Sequence, residues 1–459
     1  MTTKSSRYPT REDRRQAGRD ARSKVSRIAQ AEWNPAARKH NLVEVILSSE
    51  KGRVPNLLPI KHARMSLSPF SFYRGAVPLM AADLALLPQS GLITQLCGDA
   101  HVHNLGSYAA PDGRVIFDLN DFDETIQGPF EWDVKRMAAS LVLAGRTAGD
   151  NDRQCRDAVL QFVERYRMWM KKFCQMPVLD LARFQVSRFV KGSPVAAVLQ
   201  KAERVTNLTS FAKLTVVRQG QAYLREQKPL QYPAPPSASS KVKQSIHDYS
   251  LCLLPERRHF FSQYHVQHVG FRVVGCGSVG MRDYVALMLG GGADDPLFLQ
   301  VKEATRSAYA SYLPDARVPE NQGERVAEGQ RAMQMQSDIF LGWTSMDGRD
   351  YLVRQLRDHK ASIEDTDLKG NGLAEYAQVC GELLAKGHAR AGDPCAMYGY
   401  MGNSPKFDRA IAKFAMAYAD QTEKDFEKFT LAVKSEAPKH PRPKPKAKPR
   451  SKTKSISKR

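Results

Sequence analysis

Apolar residues recur at helical spacing over 152–175, where Val159, Phe162, Val163 and Tyr166 fall on one face. The same period runs through 130–146, with Trp132, Met137 and Leu141, and the pattern predicts further helices over 322–337, 373–391 and 406–433. Strand patterns lie between these helices. Residues 92–97 and 114–118 read as short strands split by the turn signal Pro111-Asp112-Gly113. Three more strands are expected at Tyr264–Val274, Tyr284–Leu289 and Leu297–Lys302, the last two divided by the glycine-rich turn 290–296. A final strand pair, 339–344 and 350–357, is split by Met346-Asp347-Gly348.

These elements fall in blocks, with a strand-rich block at 264–360 between helix-rich ones. Strict alternation of strand and helix is absent, which disfavours a Rossmann sheet or a TIM barrel and predicts an α+β class. Residues 228–245 read as a linker, because the four prolines and three serines of 228–243 suit neither a helix interior nor a central strand. The expected units are a basic arm 1–60, flexible or a surface helix, and a segment 61–227 carrying catalytic loops. After the linker come a small strand-rich lobe 246–360, returning helices 361–433 and a disordered Lys/Pro tail 434–459.

The formal charge of +21 belongs to the ends. Residues 1–60 hold 13 Lys/Arg against 6 Asp/Glu, and residues 434–459 hold 11 against one, so the ends carry +7 and +10. Such ends suit a nonspecific anionic partner, nucleic acid or a membrane surface. Few aromatics interleave the tail, so sequence-specific readout is not expected. The seven cysteines are scattered and form no C-x-x-C pair, which argues against a disulfide framework or zinc knuckle and for a reducing compartment. No stretch approaches the roughly 18–20 apolar residues of a membrane span. The basic N-terminus has no apolar core of a secretory signal, so a cytoplasmic protein is expected.

Candidate chemistry concentrates first in Gly98-Asp99-Ala100-His101-Val102-His103-Asn104 and the acidic stretch Phe117–Glu124. Phosphoryl transfer needs a carboxylate to orient and deprotonate the acceptor hydroxyl and oxygen ligands for Mg²⁺. Asp99 and Asn104 are five apart, and Asp118 follows fourteen later at a strand end. That spacing assigns Asp99 as base and Asn104 and Asp118 as metal ligands, with Asp121 or Asp123 a further one. The plain alternative is a polar loop followed by an acidic turn.

The second feature is Gly275-Cys276-Gly277-Ser278-Val279-Gly280. A G-x-G-x-x-G is weak alone, but here a hairpin follows it rather than a helix. Gly275, Gly277, Ser278 and Gly280 would then cover nucleotide phosphates between two strands. Lys302 at the end of the third strand suits a phosphate-binding lysine, though a surface lysine on an edge strand would look the same. Such a lysine needs a helix glutamate. Glu324 and Glu328 stand four apart on the 322–337 helix, and Glu328 is preferred. Asp133, in the first turn of the 130–146 helix, either serves the helix dipole or braces the Asp99 loop. Arg74 is read as a contact for an anionic substrate or as one half of a structural salt bridge.

SPFSFYRG (68–75), GDAHVHN (98–104), FDLNDFDET (117–125), GPFEWDVKR (128–136), VKEA (301–304) and YLVRQLRDHK (351–360) together resemble the bacterial domain of unknown function 2252 family, over residues 60–430. More distantly, the chain is similar to aminoglycoside and choline phosphotransferases of the protein-kinase-like superfamily. Cys97 stands where those enzymes have a histidine, and Asp133-Val134-Lys135 where they have D-L-A. The resemblance implies ATP and Mg²⁺ as cofactors and a two-lobed kinase-like fold. The glycine loop follows the Asp99 loop here instead of preceding it, so the expected fold is circularly permuted. Two other readings compete. A metal-dependent hydrolase would use Asp99, His101, His103 and Asp118. A non-catalytic nucleotide-binding protein would need no base at all.

Overall fold

A computed structural model of the protein describes residues 8–186, 194–356 and 361–436, and its architecture is α+β. The helix Phe130–Ala148 is the axis of the helical body. From Met137 to Gly145 its residues are small or apolar on every side, so it is buried all round, and it stops at Gly149 in the left-handed conformation (φ 90°). It packs on the helices Asp152–Gln175 and Lys406–Glu436. The first of these begins at a capping box of Asn151 and Gln154 and buries Val159, Phe162, Val163 and Tyr166. That face meets the helix Asn371–Ala391. At Gly381 the two backbones touch, since a Cβ there would lie 2.4 Å from the Phe162 carbonyl oxygen.

A six-stranded antiparallel sheet forms the second unit. Its order is Gly342–Met346, Arg349–Gln355, Pro296–Ala304, Asp283–Leu289, His265–Arg272 and Gln231–Pro233. Leu297, Leu299 and Val301 of the central strand join one core with Ala286 and Met288, beneath Val242, Ile246 and Tyr249 of the helix Pro236–Ser250. Phe298 joins Val285 and Leu287 on the opposite face. By the two-residue period of a strand, Gln300 and Lys302 share the Phe298 face. The helix Gln322–Met333 connects this strand to the last hairpin.

The 228–245 stretch differs from its reading as a linker. Gln231–Pro233 pairs at the sheet edge, and Pro236 opens a helix in which its missing N–H costs nothing. The arm also carries structure. Arg11–Lys24 is a helix capped by Thr10, held to the body where Arg22 Nε donates to the Tyr400 carbonyl (2.9 Å). Beyond Glu436 the expected tail lies outside the described residues, as do 357–360 of the 351–360 segment. Among the described residues no helix is long and apolar enough to cross a membrane.

Between the two units, residues 93–129 make nested antiparallel pairs. Ile93–Leu96 pairs with Ile126–Pro129, and Leu105–Ala109 with Val115–Leu119. Nesting brings the two intervening loops, 97–104 and 120–125, side by side. Gly98 is the closest approach: its φ is 83°, and a Cβ would lie 2.1 Å from the Glu124 carbonyl oxygen. Gly98→Ala therefore meets both backbone strain and a backbone clash. It should lower unfolding free energy by more than about 2 kcal/mol in urea titrations, while Gly113→Ala, at an open turn, should cost less.

Candidate functional site

Asp133 anchors the Asp99 loop from the first turn of the helix Phe130–Ala148. Its carboxylate accepts the Cys97 N–H (2.7 Å) and the Gly98 N–H (3.1 Å), and His388 Nε2 stands 3.2 Å away. His388 is set in turn by Tyr166, whose hydroxyl lies 2.8 Å from Nδ1. Three residues along the same helix face, Arg136 donates to Asp99 Oδ1 through Nε (2.8 Å) and Nη2 (2.6 Å). Both bonds land on one oxygen. The other, Oδ2, has His101 Nε2 at 3.6 Å. Burial raises the Asp99 carboxyl above its ordinary value, and Arg136 opposes that shift. Burial, Arg74 and Arg136 together hold His101 neutral, well below the usual histidine range.

Asn104 ties the two loops together. Its Nδ2 donates to the carbonyls of Asp99 (2.8 Å) and Asp121 (2.9 Å), and its Oδ1 accepts the Asp121 N–H (2.6 Å). From the helix Gln322–Met333, Arg325 donates to the carbonyls of Thr125 (2.6 Å), Asp123 (2.8 Å) and Thr305 (2.8 Å). The acidic loop is thus held by its backbone, which frees its carboxylates for other partners. Asp123 forms an ion pair with Lys302 Nζ, and Asp121 Oδ1 lies 3.9 Å from the same nitrogen. Burial would lower the Lys302 ammonium, but Asp121 and Asp123 outweigh it and raise its pKa.

The glycine turn joins His265–Arg272 to Asp283–Leu289, with Gly275 and Gly280 both at positive φ (74° and 91°). Residues before the helical body grip its carbonyls. Arg64 donates to Gly275 (2.6 Å), and Arg53 donates to Gly277 (2.7 Å) and Val279 (2.6 Å). The Val54 N–H donates to Gly280 (2.7 Å). Neither arginine stood out in the sequence, since contacts more than 200 residues apart leave no local pattern.

Three chambers meet here. A small one of about 90 Å³ is bordered by Asp99, His101, Asp121, Asp123 and Gly275–Ser278. One of about 630 Å³ shares Asp121, Gly275 and Ser278 with it and adds Lys302, Arg272 and Arg354. A third, of about 720 Å³, shares Arg53, Glu124 and Thr305 with the small one. Both larger volumes fall in the range of small-molecule sites.

Three expected roles change. Asp118 is wholly buried and ion-paired with Lys386 of the helix Asn371–Ala391, and its Oδ1 accepts the Leu119 N–H (2.9 Å). It therefore faces the helical core, not the chambers. The chain runs past Leu119 and Asn120 before its carboxylates reach the cleft, which the strand-end spacing could not reveal. Asn104 acts first as a staple between the two loops, which take both Nδ2 hydrogens and one of the two Oδ1 lone pairs. Glu328 is exposed, and the acid at Lys302 is Asp123. The helix instead directs Arg325 at the acidic loop.

Among the described residues no three His, Cys, Asp or Glu side chains gather as a preformed metal shell. With Asp118 committed to Lys386, the four-residue hydrolase cluster is not assembled. A magnesium ion carried on polyphosphate needs only one or two protein carboxylates. Asp121 and Asp123, beside the glycine turn and Lys302, fit that requirement.

The family model described as an uncharacterized protein conserved in bacteria (DUF2252) matches residues 53–432, and the chain belongs to that family. No curated protein and no solved structure matches the chain.

The Asp118 assignment is directly testable. Lys386→Met leaves a buried unpaired carboxylate and should destabilise the protein by about 3–5 kcal/mol, read by urea titration. The double variant Asp118→Leu/Lys386→Met removes both charges and should recover most of that loss.

Proposed function

We propose that the protein is an ATP- and Mg²⁺-dependent phosphotransferase with a kinase-like two-lobed fold in circularly permuted order. The observation that carries this reading is the Lys302–Asp123 ion pair beside the glycine turn. It joins a lysine on the third strand of a glycine-turn sheet to the acidic loop that adjoins the Asp99 loop. Those are the parts that position phosphates and acceptor in kinase-like transfer. The permuted order is supported by the helix Asn371–Ala391. It packs on the body beside the Asp99 loop although it follows the sheet in the chain.

In this reading Gly275, Gly277, Ser278 and Gly280 cover the phosphates, and Lys302 turns from Asp123 to a phosphate oxygen. Asp121 and Asp123 would hold magnesium, which neutralises phosphate charge when bound. Asp99 accepts the acceptor's hydroxyl proton as the oxygen bonds to the γ-phosphorus. The β,γ-bridging bond breaks, and ADP leaves with its electron pair. The raised pKa of Asp99 suits a base more than an ordinary aspartate would. Arg136 fixes its rotamer and keeps it ionised enough to act.

Asp99→Asn should lower kcat about 10²–10⁴-fold while leaving binding of a MgATP analogue within a few-fold, by calorimetry. Unchanged turnover in that variant would remove Asp99 as base. The rate requires ionised Asp99, so it should fall as pH drops through the carboxyl's pKa. The acid limb of kcat/KM should stand above the ordinary aspartate value of about 4, and move higher in Arg136→Met, which loses the opposing cation.

A further inference from the structure

Arg74 lies at the small chamber with Asp99, whose negative charge it favours through space, but among the described residues it makes no ion pair. Its guanidinium carbon sits 5.9 Å from the Phe70 ring centroid, and Nη1 is 3.4 Å from His103 Nδ1. Its Nε is buried without a hydrogen-bond partner. A guanidinium held in a cavity with an unmet donor is costly unless an anion completes it. Its fork matches carboxylate or phosphate.

The adjoining chamber of about 720 Å³ has the same bias. Lys39, Lys51, Arg53, Arg306 and Arg349 border it, against three glutamates. Two of those glutamates are engaged. Glu303 pairs with Arg282 (3.1 Å) and Arg349 (2.8 Å). Glu124 accepts the Ala308 N–H (2.6 Å), and burial raises its pKa. Lys302 and the polar end of the glycine turn serve the chamber on the other side. Both larger chambers are basic, and the small one with Arg74 and Asp99 adjoins each of them, so nucleotide on the Lys302 side leaves the other side for the acceptor.

We propose that the acceptor is a small hydroxyl compound bearing an anionic group, carboxylate or phosphate, that Arg74 receives beside Asp99. This rests on the phosphotransferase reading. The acceptor oxygen takes the γ-phosphoryl, its proton passes to Asp99 and ADP leaves. A cationic acceptor, such as an amino sugar or choline, would meet repulsion from Arg74 and from the basic wall.

The test uses four six-carbon polyols of different charge: glucose 6-phosphate, gluconate, glucose and glucosamine. Their dissociation constants are measured by calorimetry on the full chain, and a fluorescent MgATP analogue is titrated in parallel. Gluconate and glucose 6-phosphate should bind at least about tenfold tighter than glucose, with glucosamine weakest. The gap between the two anions tells carboxylate from phosphate. Arg74→Gln should erase the order and Arg74→Lys should keep part of it. Should Arg74→Gln fail to fold by circular dichroism, Lys51→Gln/Arg306→Gln at the rim should narrow the gap about threefold instead. No anion preference in the wild type, or a preference that survives Arg74→Gln, overturns the proposal. So does an Arg74→Gln chain that loses the nucleotide analogue instead, since Arg74 would then serve ATP. A wild type that prefers anions yet binds no nucleotide analogue overturns the phosphotransferase reading, and the acceptor role with it.

Discussion

Lys302 carries a full charge on a strand whose side chains are buried from end to end, and its own sheet does not neutralise it alone. Asp283 across the strand pair feels the Lys302 charge, but its hydrogen bonds go to Gln300, which donates to both its oxygens (3.0 and 2.8 Å). The neutralising carboxylate comes from the nested hairpins 179 residues earlier, where Asp123 reaches the ammonium. Breaking such a pair from one side leaves an uncompensated buried charge, so the sheet and the acidic loop are bound to one geometry. The rest of the cleft follows from that constraint. The glycine turn lies over the acidic loop, and the Asp99 loop, stapled to the acidic loop by Asn104, comes with it.

In the proposed reading, the same constraint explains how a cleft that takes a highly charged ligand remains stable without one. Cation and carboxylate satisfy each other, and a nucleotide with its metal would exchange these partners instead of creating a new charged site. Around them, the backbones of the three loops are held by dedicated side chains. Asp133 holds the start of the Asp99 loop and Asn104 its end. Arg325 holds the acidic loop, and Arg53 and Arg64 hold the glycine turn. One of these anchors, Asp133, lies with Arg136 on the helix Phe130–Ala148, whose residues are buried from Phe130 to Gly145, so the geometry of the Asp99 loop and the core packing are coupled.

Much of this was legible in the chain. Long apolar periods predicted helices over 130–146, 152–175 and 373–391, which fold as 130–148, 152–175 and 371–391, because burial of a whole face leaves a repeating trace. The three strands around the glycine turn were readable from their turns. Spacing also singled out Asp99, Lys302 and Asp121, and the fold brings all three to adjoining cavities. What failed was partner choice. Asp118 and Asp123 differ by five residues, and only the path of the loop decides which one enters the core and which the cleft. Glu328 fails for a similar reason: helical spacing put Glu324 and Glu328 on one face, but that face looks outward, and Arg325 turns in. Prolines 233 and 236 misled because an edge strand and a helix start tolerate them as well as a linker does. The order of segments, odd for a kinase-like chain, has no bearing on contacts made in three dimensions.

The most direct measurement is a structure of the full chain with magnesium and a non-hydrolysable ATP analogue. The account predicts phosphates beneath Gly275–Gly280, Lys302 released from Asp123 onto a phosphate oxygen, and metal on Asp121 or Asp123. The γ-phosphate should face Asp99 with Arg74 on the far side. A nucleotide bound elsewhere with the Lys302–Asp123 pair intact would contradict it.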